Sequence, residues 1–120
     1  MARILIVDDS PTECYKLREI LEKHGHHVLE AANGADGVAM ARSELPDLVL
    51  MDVVMPEMSG PEMAREIRVE WPGTRFLFMS GHPEEAEALA KKLSDAEILM
   101  KPILPTELCR RVRAALDTPR

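Results

Sequence analysis

Five polar residues close short apolar runs in this 120-residue chain. Asp8 and Asp9 follow Arg3-Ile4-Leu5-Ile6-Val7, and Asp52 follows Asp47-Leu48-Val49-Leu50-Met51. Ser80 follows Phe76-Leu77-Phe78-Met79, and Lys101 follows Ile98-Leu99-Met100. If the runs are neighbouring strands, three carboxylates converge and repel one another in a partly dry site. A divalent cation among them relieves that repulsion, and carboxylate oxygens with water suit Mg²⁺. Such a cation also lowers the negative charge that an incoming phosphoryl group meets. Lys101 then pairs with phosphate oxygens as a point charge, and Ser80 donates a hydroxyl hydrogen bond. Asp52 is the candidate nucleophile, and aspartyl phosphate is a known covalent carboxylate intermediate. Positioning and charge neutralisation are most of what phosphoryl transfer asks of a protein. Taken singly, each residue has a plainer explanation: an acidic pair as a turn or cap, Ser80-Gly81 as a turn, Lys101-Pro102 as a solvated strand end. The ordered set carries the specificity.

The elements that must position these residues are legible from periodicity. Leu48 to Met51 has the length and Leu/Val content of a strand buried on both faces, with Asp52 at its carboxyl end and Pro56 soon after. Arg3 to Val7 reads as the first strand. Ser10-Pro11-Thr12-Glu13 then opens a helix, with Ser10 as N-cap, Pro11 at N1 and Glu13 completing a capping box. Cys14, Leu17, Leu21 and His24 follow at helical spacing, and Gly25 stops the helix. His27 to Ala32 is a second strand and Asn33-Gly34 a turn. Val38 and Ala41 mark a second helix that ends near Leu45-Pro46. Ser59-Gly60-Pro61-Glu62 repeats the capping-box pattern before a helix carrying Met63, Ile67 and Trp71, which Pro72-Gly73 breaks. Phe76 to Met79 is a fourth strand, and Pro83 to Leu93 a helix with Ala86, Leu89, Ala90 and Leu93 on one side. Ile98 to Met100 is a fifth strand. The last helix starts at Pro105, behind the poor cap Leu104, with Leu108, Val112 and Leu116 in i, i+4 steps. Alternating strands and helices of this kind predict an α/β fold: an open five-stranded parallel sheet with right-handed crossovers and helices on both faces. All five strand ends then lie along one edge, where open α/β folds bind ligands.

Composition narrows the function classes. Residues 1–120 are expected to form one domain by length. Hydrophobic residues make up 46% and charged residues 30%, ordinary proportions for a globular protein. A net charge of −6 argues against a general nucleic-acid binder or an anionic-membrane binder. No apolar stretch approaches the ~20 residues of a membrane span, and Met1-Ala2-Arg3-Ile4 shows no signal-peptide pattern. Two well-separated cysteines, Cys14 and Cys109, lack metal spacing, so a reduced, cytoplasmic setting is expected.

On these motifs the sequence resembles a response-regulator receiver domain of two-component signalling. The resemblance rests on Ile4 to Ser10, the Asp52 strand through Met55-Pro56 to Gly60, Met79-Ser80-Gly81 and Met100-Lys101-Pro102, and covers nearly the whole chain. Met1 to Met58 is similar to single-domain chemotaxis and twitching-motility regulators. Phe76 to Gly81 and the stretch through Pro105 to Leu108 look more like receivers of hybrid histidine kinases. The resemblance implies a flavodoxin-like doubly wound fold. It implies that Asp52 accepts phosphate from a phosphohistidine on a sensor histidine kinase or phosphotransfer protein. It implies Mg²⁺ held by Asp8, Asp9, Asp52 and the Val54 carbonyl, phosphoryl oxygens held by Ser80 and Lys101, and a cis Lys101-Pro102 peptide. Output would pass to a downstream protein partner, with no effector domain in this chain and no nucleic acid or membrane bound. The family's usual Tyr or Phe three residues before the lysine is here Ile98, and Val53 follows Asp52 where no tryptophan lies beside the site.

Three rival readings fit the residues less well. A haloacid-dehalogenase-type phosphatase wants a second aspartate two residues after the nucleophile, and Val54 stands there. A flavin or nucleotide carrier wants a small-residue phosphate loop after the first strand, where Asp8-Asp9 would repel phosphate. An unphosphorylated scaffold receiver would not need the intact set Asp8, Asp9, Asp52, Ser80 and Lys101. Elsewhere, Met51, Met55, Met58, Met79 and Met100 are expected to fill the core, since thioethers are poor Mg²⁺ ligands. His24, His26 and His27 straddle the turn after the first helix, away from the acidic edge, and zinc there is disfavoured. Cys14 and Cys109, on helices flanking one side, are expected to be reduced packing residues.

Overall fold

A computed structural model describes residues 2–53, 60–70, 72–92 and 97–117. Strands and helices alternate along the chain: β1 (Arg3–Val7), α1 (Pro11–Lys23), β2 (His27–Ala31), α2 (Gly34–Glu44), β3 (Leu48–Asp52), α3 (Gly60–Glu70), β4 (Arg75–Ser80), α4 (Pro83–Lys92), β5 (Ile98–Met100) and α5 (Pro105–Asp117). The strands form one sheet in the order β2-β1-β3-β4-β5, every neighbouring pair parallel. Apolar residues on both faces of the central strands explain this arrangement, because a parallel sheet is covered on both sides. From β1 and β3, Leu5, Val7, Val49 and Met51 point to one face and Ile4, Ile6, Leu48 and Leu50 to the other. The first face is closed by Val38 and Ala41 of α2, Met63, Ala64 and Ile67 of α3, and Leu89 of α4. The second is closed by Cys14, Leu17 and Leu21 of α1 with Leu108 and Val112 of α5. The doubly wound fold is therefore as expected.

Local details depart from the sequence reading in instructive ways. Ser10 caps α1 as expected, its Oγ accepting from the Glu13 N–H at 3.3 Å. The capping box does not close through Glu13, because the Ser10 N–H donates instead to Asp8 Oδ1 at 2.9 Å. Asn33-Gly34 is not a free-standing turn: Asn33 Oδ1 accepts from the Asp36 N–H at 2.8 Å and caps α2, and Gly34 opens the helix. The second strand stops at Ala31. Ala90 is exposed, leaving Leu89 as the fully buried residue of α4 among those described. Gly25 has φ 86°, the left-handed stop expected after α1, whereas α2 ends on a non-glycine in that region, Leu45 at φ 48°. Gly37 permits close approach of α2 to α3, since a Cβ there would lie 2.8 Å from Met63 Cε and 3.1 Å from Val7 Cγ2. Met51, Met63 and Met79 are core residues, but Met100 is 43% exposed. Trp71, Leu93, Met55, Met58 and the Ser59 cap lie outside the described residues.

Candidate functional site

Strand register brings the chemistry-bearing residues together. Val7 lies opposite Met51, so Asp8 and Asp52 leave adjacent strands one residue later. Asp52 lies opposite Met79, and Ser80 opposite Met100, so Ser80 and Lys101 follow along the same edge. Backbone hydrogen bonds extend the ladder past the strands: Val53 N–H to Met79 O at 2.9 Å, and Lys101 N–H to Ser80 O at 2.8 Å. The Lys101-Pro102 peptide is cis, as the resemblance implies.

Asp8, Asp9 and Asp52 each offer a carboxylate oxygen, and these oxygens all lie within 4.8 Å of one another. Asp8 is the buried member, 2% exposed, while Asp9 is exposed and Asp52 half-buried. Lys101 Nζ donates to Asp52 Oδ2 at 3.0 Å and stands 3.7 Å from Asp8 Oδ2. Asp8 is oriented by an Asx turn, with Oδ1 taken by the Ser10 N–H. Its Oδ2 is buried without a hydrogen-bond partner among the described residues. Burial is the main cause that raises the Asp8 carboxyl above its usual range, and Asp52 adds to it. The Ser10 N–H and the Lys101 charge oppose the rise without cancelling it. Burial by itself would lower the Lys101 ammonium, but the hydrogen bond and charge of Asp52, with the charge of Asp8, outweigh it and hold the group above its usual value.

Among the described residues the site thus contains a buried carboxylate oxygen without a hydrogen-bond partner, two further acidic residues, and Lys101 close to two of the three carboxylates. Hard oxygen donors at this spacing fit a divalent cation such as Mg²⁺. They do not fit a softer metal that prefers nitrogen or sulfur. Val54, whose carbonyl the resemblance adds, lies outside the described residues.

Ser80 is on the same edge, but its hydroxyl is engaged elsewhere. It is 1% exposed; its Oγ donates to the His82 carbonyl at 2.9 Å and accepts the His82 N–H at 3.1 Å. The sequence reading missed His82 as the holder of this hydroxyl, although Ser-Gly-x after a strand is a pattern in which a hydroxyl turns back on the main chain. It also missed the Ser10 N–H as the group orienting Asp8, for which Asp-x-Ser before a helix was the available signal. Cys14, next to the site, is a free buried thiol that donates to the Asp8 carbonyl at 3.5 Å. Burial first, then the Asp8 charge, pushes it up to about 11, so it is inert, as expected of a packing residue.

A family model described as "Response regulator receiver domain" matches residues 4–113. Protein PilH of Pseudomonas aeruginosa is 45% identical over 119 residues, covering 97% of this chain and 98% of that protein. Chemotaxis protein CheY of Thermotoga maritima is 33% identical over 108 residues, covering 88% and 90%. A receiver-domain protein of Clostridium thermocellum superposes with a TM-score of 0.89 at 28% identity, over 98% of this chain and 95% of that one. The chain spans about half the length of several transcriptional regulators that it also matches.

Proposed function

The chain belongs to the response-regulator receiver domain family of two-component signalling, and from that premise we propose that Asp52 is its phosphoacceptor, fed by a phosphohistidine on a sensor histidine kinase or phosphotransfer protein. The observation that carries the assignment is the contact between Asp52 and Lys101 beside the orphaned Asp8 oxygen. An Asp52 carboxylate oxygen bonds to phosphorus while the phosphorus–nitrogen bond of the donor breaks, and the imidazole leaves with the electron pair. Lys101 Nζ, now 3.0 Å from Asp52 Oδ2, moves the short way to a phosphoryl oxygen and keeps the product's charge balanced. Ser80 donates to a second phosphoryl oxygen once its hydroxyl leaves the His82 carbonyl. Asp8 and Asp9, with Asp52 and the Val54 carbonyl, would hold Mg²⁺, which when bound would offset the carboxylate charge and that of the phosphoryl oxygens. Receivers are signalling proteins rather than turnover enzymes. This one assists its own phosphorylation and dephosphorylation through the groups just named. Residues 1–120 act as one receiver, whose output passes by binding a downstream protein and not by nucleic acid or membrane contact. No helix among the described residues is long and apolar enough to cross a membrane, and a cytoplasmic location is part of the same proposal.

The test is intact-mass analysis after incubation with acetyl phosphate and Mg²⁺. One phosphoryl group should be added, and it should be lost in Asp52→Asn and with EDTA. Unchanged labelling of Asp52→Asn overturns the assignment.

A further inference from the structure

The first turn of α4 holds a buried acceptor with nothing to accept. The helix begins at Pro83, and the Ala86 N–H closes its first turn on the His82 carbonyl at 3.1 Å. His82 is therefore the N-cap and Glu85 the third helical residue, N3. Glu84 and Glu87 are exposed, but Glu85 is half-buried, and its Oε2 is buried without a hydrogen-bond partner among the described residues. A glutamate at N3 ordinarily reaches back to the N-cap N–H, the second half of a capping box. Here that N–H is already taken, since it donates to Ser80 Oγ at 3.1 Å. A carboxylate oxygen is costly to bury without a donor, and one whose usual donor is held by another acceptor calls for a reason.

We propose that Glu85 is a positioning residue that releases Ser80 to the phosphoryl group by accepting the His82 N–H in its place. The inference rests on Asp52 as phosphoacceptor and on Ser80 as donor to a phosphoryl oxygen. Ser80 is held by two bonds to His82, one to its carbonyl at 2.9 Å and one from its N–H. These two partners fare differently when the hydroxyl turns away. The carbonyl keeps the Ala86 N–H and is not left unsatisfied. The N–H, at a helix N-terminus, is one of the donors that the helix itself cannot pair. Without a substitute acceptor, turning the hydroxyl would strand that N–H, and the Ser80–His82 pair would resist the change. Glu85 supplies the substitute from within the same turn, and its carboxylate gains a donor as Ser80 gives one up. The exchange replaces a hydroxyl acceptor by a charged one, and charge-assisted hydrogen bonds are the stronger kind. Negative charge in the first turn of α4 suits the helix dipole whichever way Ser80 faces, so the dipole favours neither state. The hydrogen bond is the differential contact, made in one state and absent in the other.

The test titrates the full chain with beryllofluoride in Mg²⁺, a stand-in for the phosphoryl group on Asp52, and follows amide resonances. Glu85→Ala should bind it about fivefold more weakly than the wild type, the worth of an ordinary helix cap. Glu85→Gln keeps an acceptor oxygen and should recover most of that loss. Glu84→Ala removes an exposed charge from the same turn and should leave the affinity unchanged. In EDTA, where the bond is not made, Glu85→Ala should melt no lower than Glu84→Ala, which separates the proposal from a purely structural role. In the wild type the His82 amide proton should move downfield on loading. Equal affinity in Glu85→Ala and the wild type overturns the proposal, as does an equal loss in Glu84→Ala, failed recovery in Glu85→Gln or an unmoved His82 amide in the loaded wild type. A wild type that gains no phosphoryl group by intact mass overturns the assignment of Asp52 itself, and this inference with it.

Discussion

Replacing Asp8 by asparagine should stabilise the metal-free protein while removing its response to Mg²⁺. Asp8 is almost fully buried and one of its oxygens has no hydrogen-bond partner among the described residues. Leaving a buried polar atom unsatisfied costs about 1–3 kcal/mol, more when it is charged. Lys101, 3.7 Å away, offsets part of that while spending its hydrogen bond on Asp52. The asparagine side chain would keep an oxygen for the Ser10 N–H, set an amide donor where the unpartnered oxygen stands, facing the neighbouring carboxylates within 4.8 Å, and drop one of three crowded charges. A gain of about 1–2 kcal/mol is expected by this reasoning. Unfolding entropy near the midpoint is about 250 cal/mol/K for a chain of this length, so the gain corresponds to a rise of roughly 4–8 °C. In the wild type, Mg²⁺ at about ten times its dissociation constant supplies about 1.4 kcal/mol, or ~6 °C. The pH dependence follows from the raised Asp8 carboxyl. The folded state holds this proton more tightly than the unfolded state, so the penalty is absent at acid pH, grows as pH rises through the raised value, and is complete above it. The advantage of Asp8→Asn should therefore shrink as the pH falls toward the ordinary carboxylate range. Thermal unfolding in EDTA and in Mg²⁺, at neutral and acid pH, measures all of this. A variant that melts below the wild type in EDTA at neutral pH, or that gains as much from Mg²⁺, refutes the reasoning. No such gain is expected of Asp52→Asn, because Asp52 is the carboxylate that Lys101 holds.

Ser10→Ala should lower stability by about 1 kcal/mol, or ~4 °C, through the lost cap on Glu13 N–H. Mg²⁺ should still stabilise this variant, because the backbone N–H that orients Asp8 remains; loss of the Mg²⁺ response would show that the hydroxyl matters to the site. Gly37→Ala should destabilise by about 1 kcal/mol despite its better helix propensity, since the new methyl meets both the flexible end of Met63 and the stiff Val7; urea denaturation showing a gain would contradict the packing argument. Beryllofluoride with Mg²⁺, standing in for the phosphoryl group, should shift amide resonances more from Ser80 to Glu85 than around Ile98. Equal shifts at the two places, or a new Ile98 rotamer, would count against it.

Most of the site was readable because its residues sit where a strong pattern stops. Asp8, Asp52, Ser80 and Lys101 each follow an apolar strand, and parallel register carries them to one edge without help from any side chain. What escaped reading were contacts that cross from one pattern to another. The Ser10 N–H could have gone to Glu13, its helical neighbour, and went to Asp8 because that carboxylate is buried and needs a donor. Asn33 reads as a turn residue for the same reason that it caps a helix: its side chain competes for backbone N–H groups, and only the register of the following apolar residues decides which use prevails. The approach of His24 to Cys109 joins residues far apart in sequence and has no local periodicity to announce it.

Ser80 links the chemistry to whatever follows it. Its hydroxyl proton is held by the His82 carbonyl and its oxygen by the His82 N–H, so donating to a phosphoryl oxygen breaks the first bond and strains the second. If Ser80 takes up that role, the loop that begins α4 should respond to phosphorylation. In receivers with an aromatic residue in place of Ile98, a ring can swing to fill the space behind a displaced hydroxyl. Ile98 is half-buried against the face that holds Phe78 and Leu89 and is β-branched, with one favoured χ1 and no polar tip to trade between water and interior. A ligand shifts a two-state element only through its differential contacts with the two states. Ile98 supplies few such contacts, whereas the Ser80–His82 pair supplies one hydrogen bond that donation to a phosphoryl oxygen breaks and another that it strains. On this reasoning the response to phosphorylation should be carried by the backbone after β4 rather than by a side chain on β5.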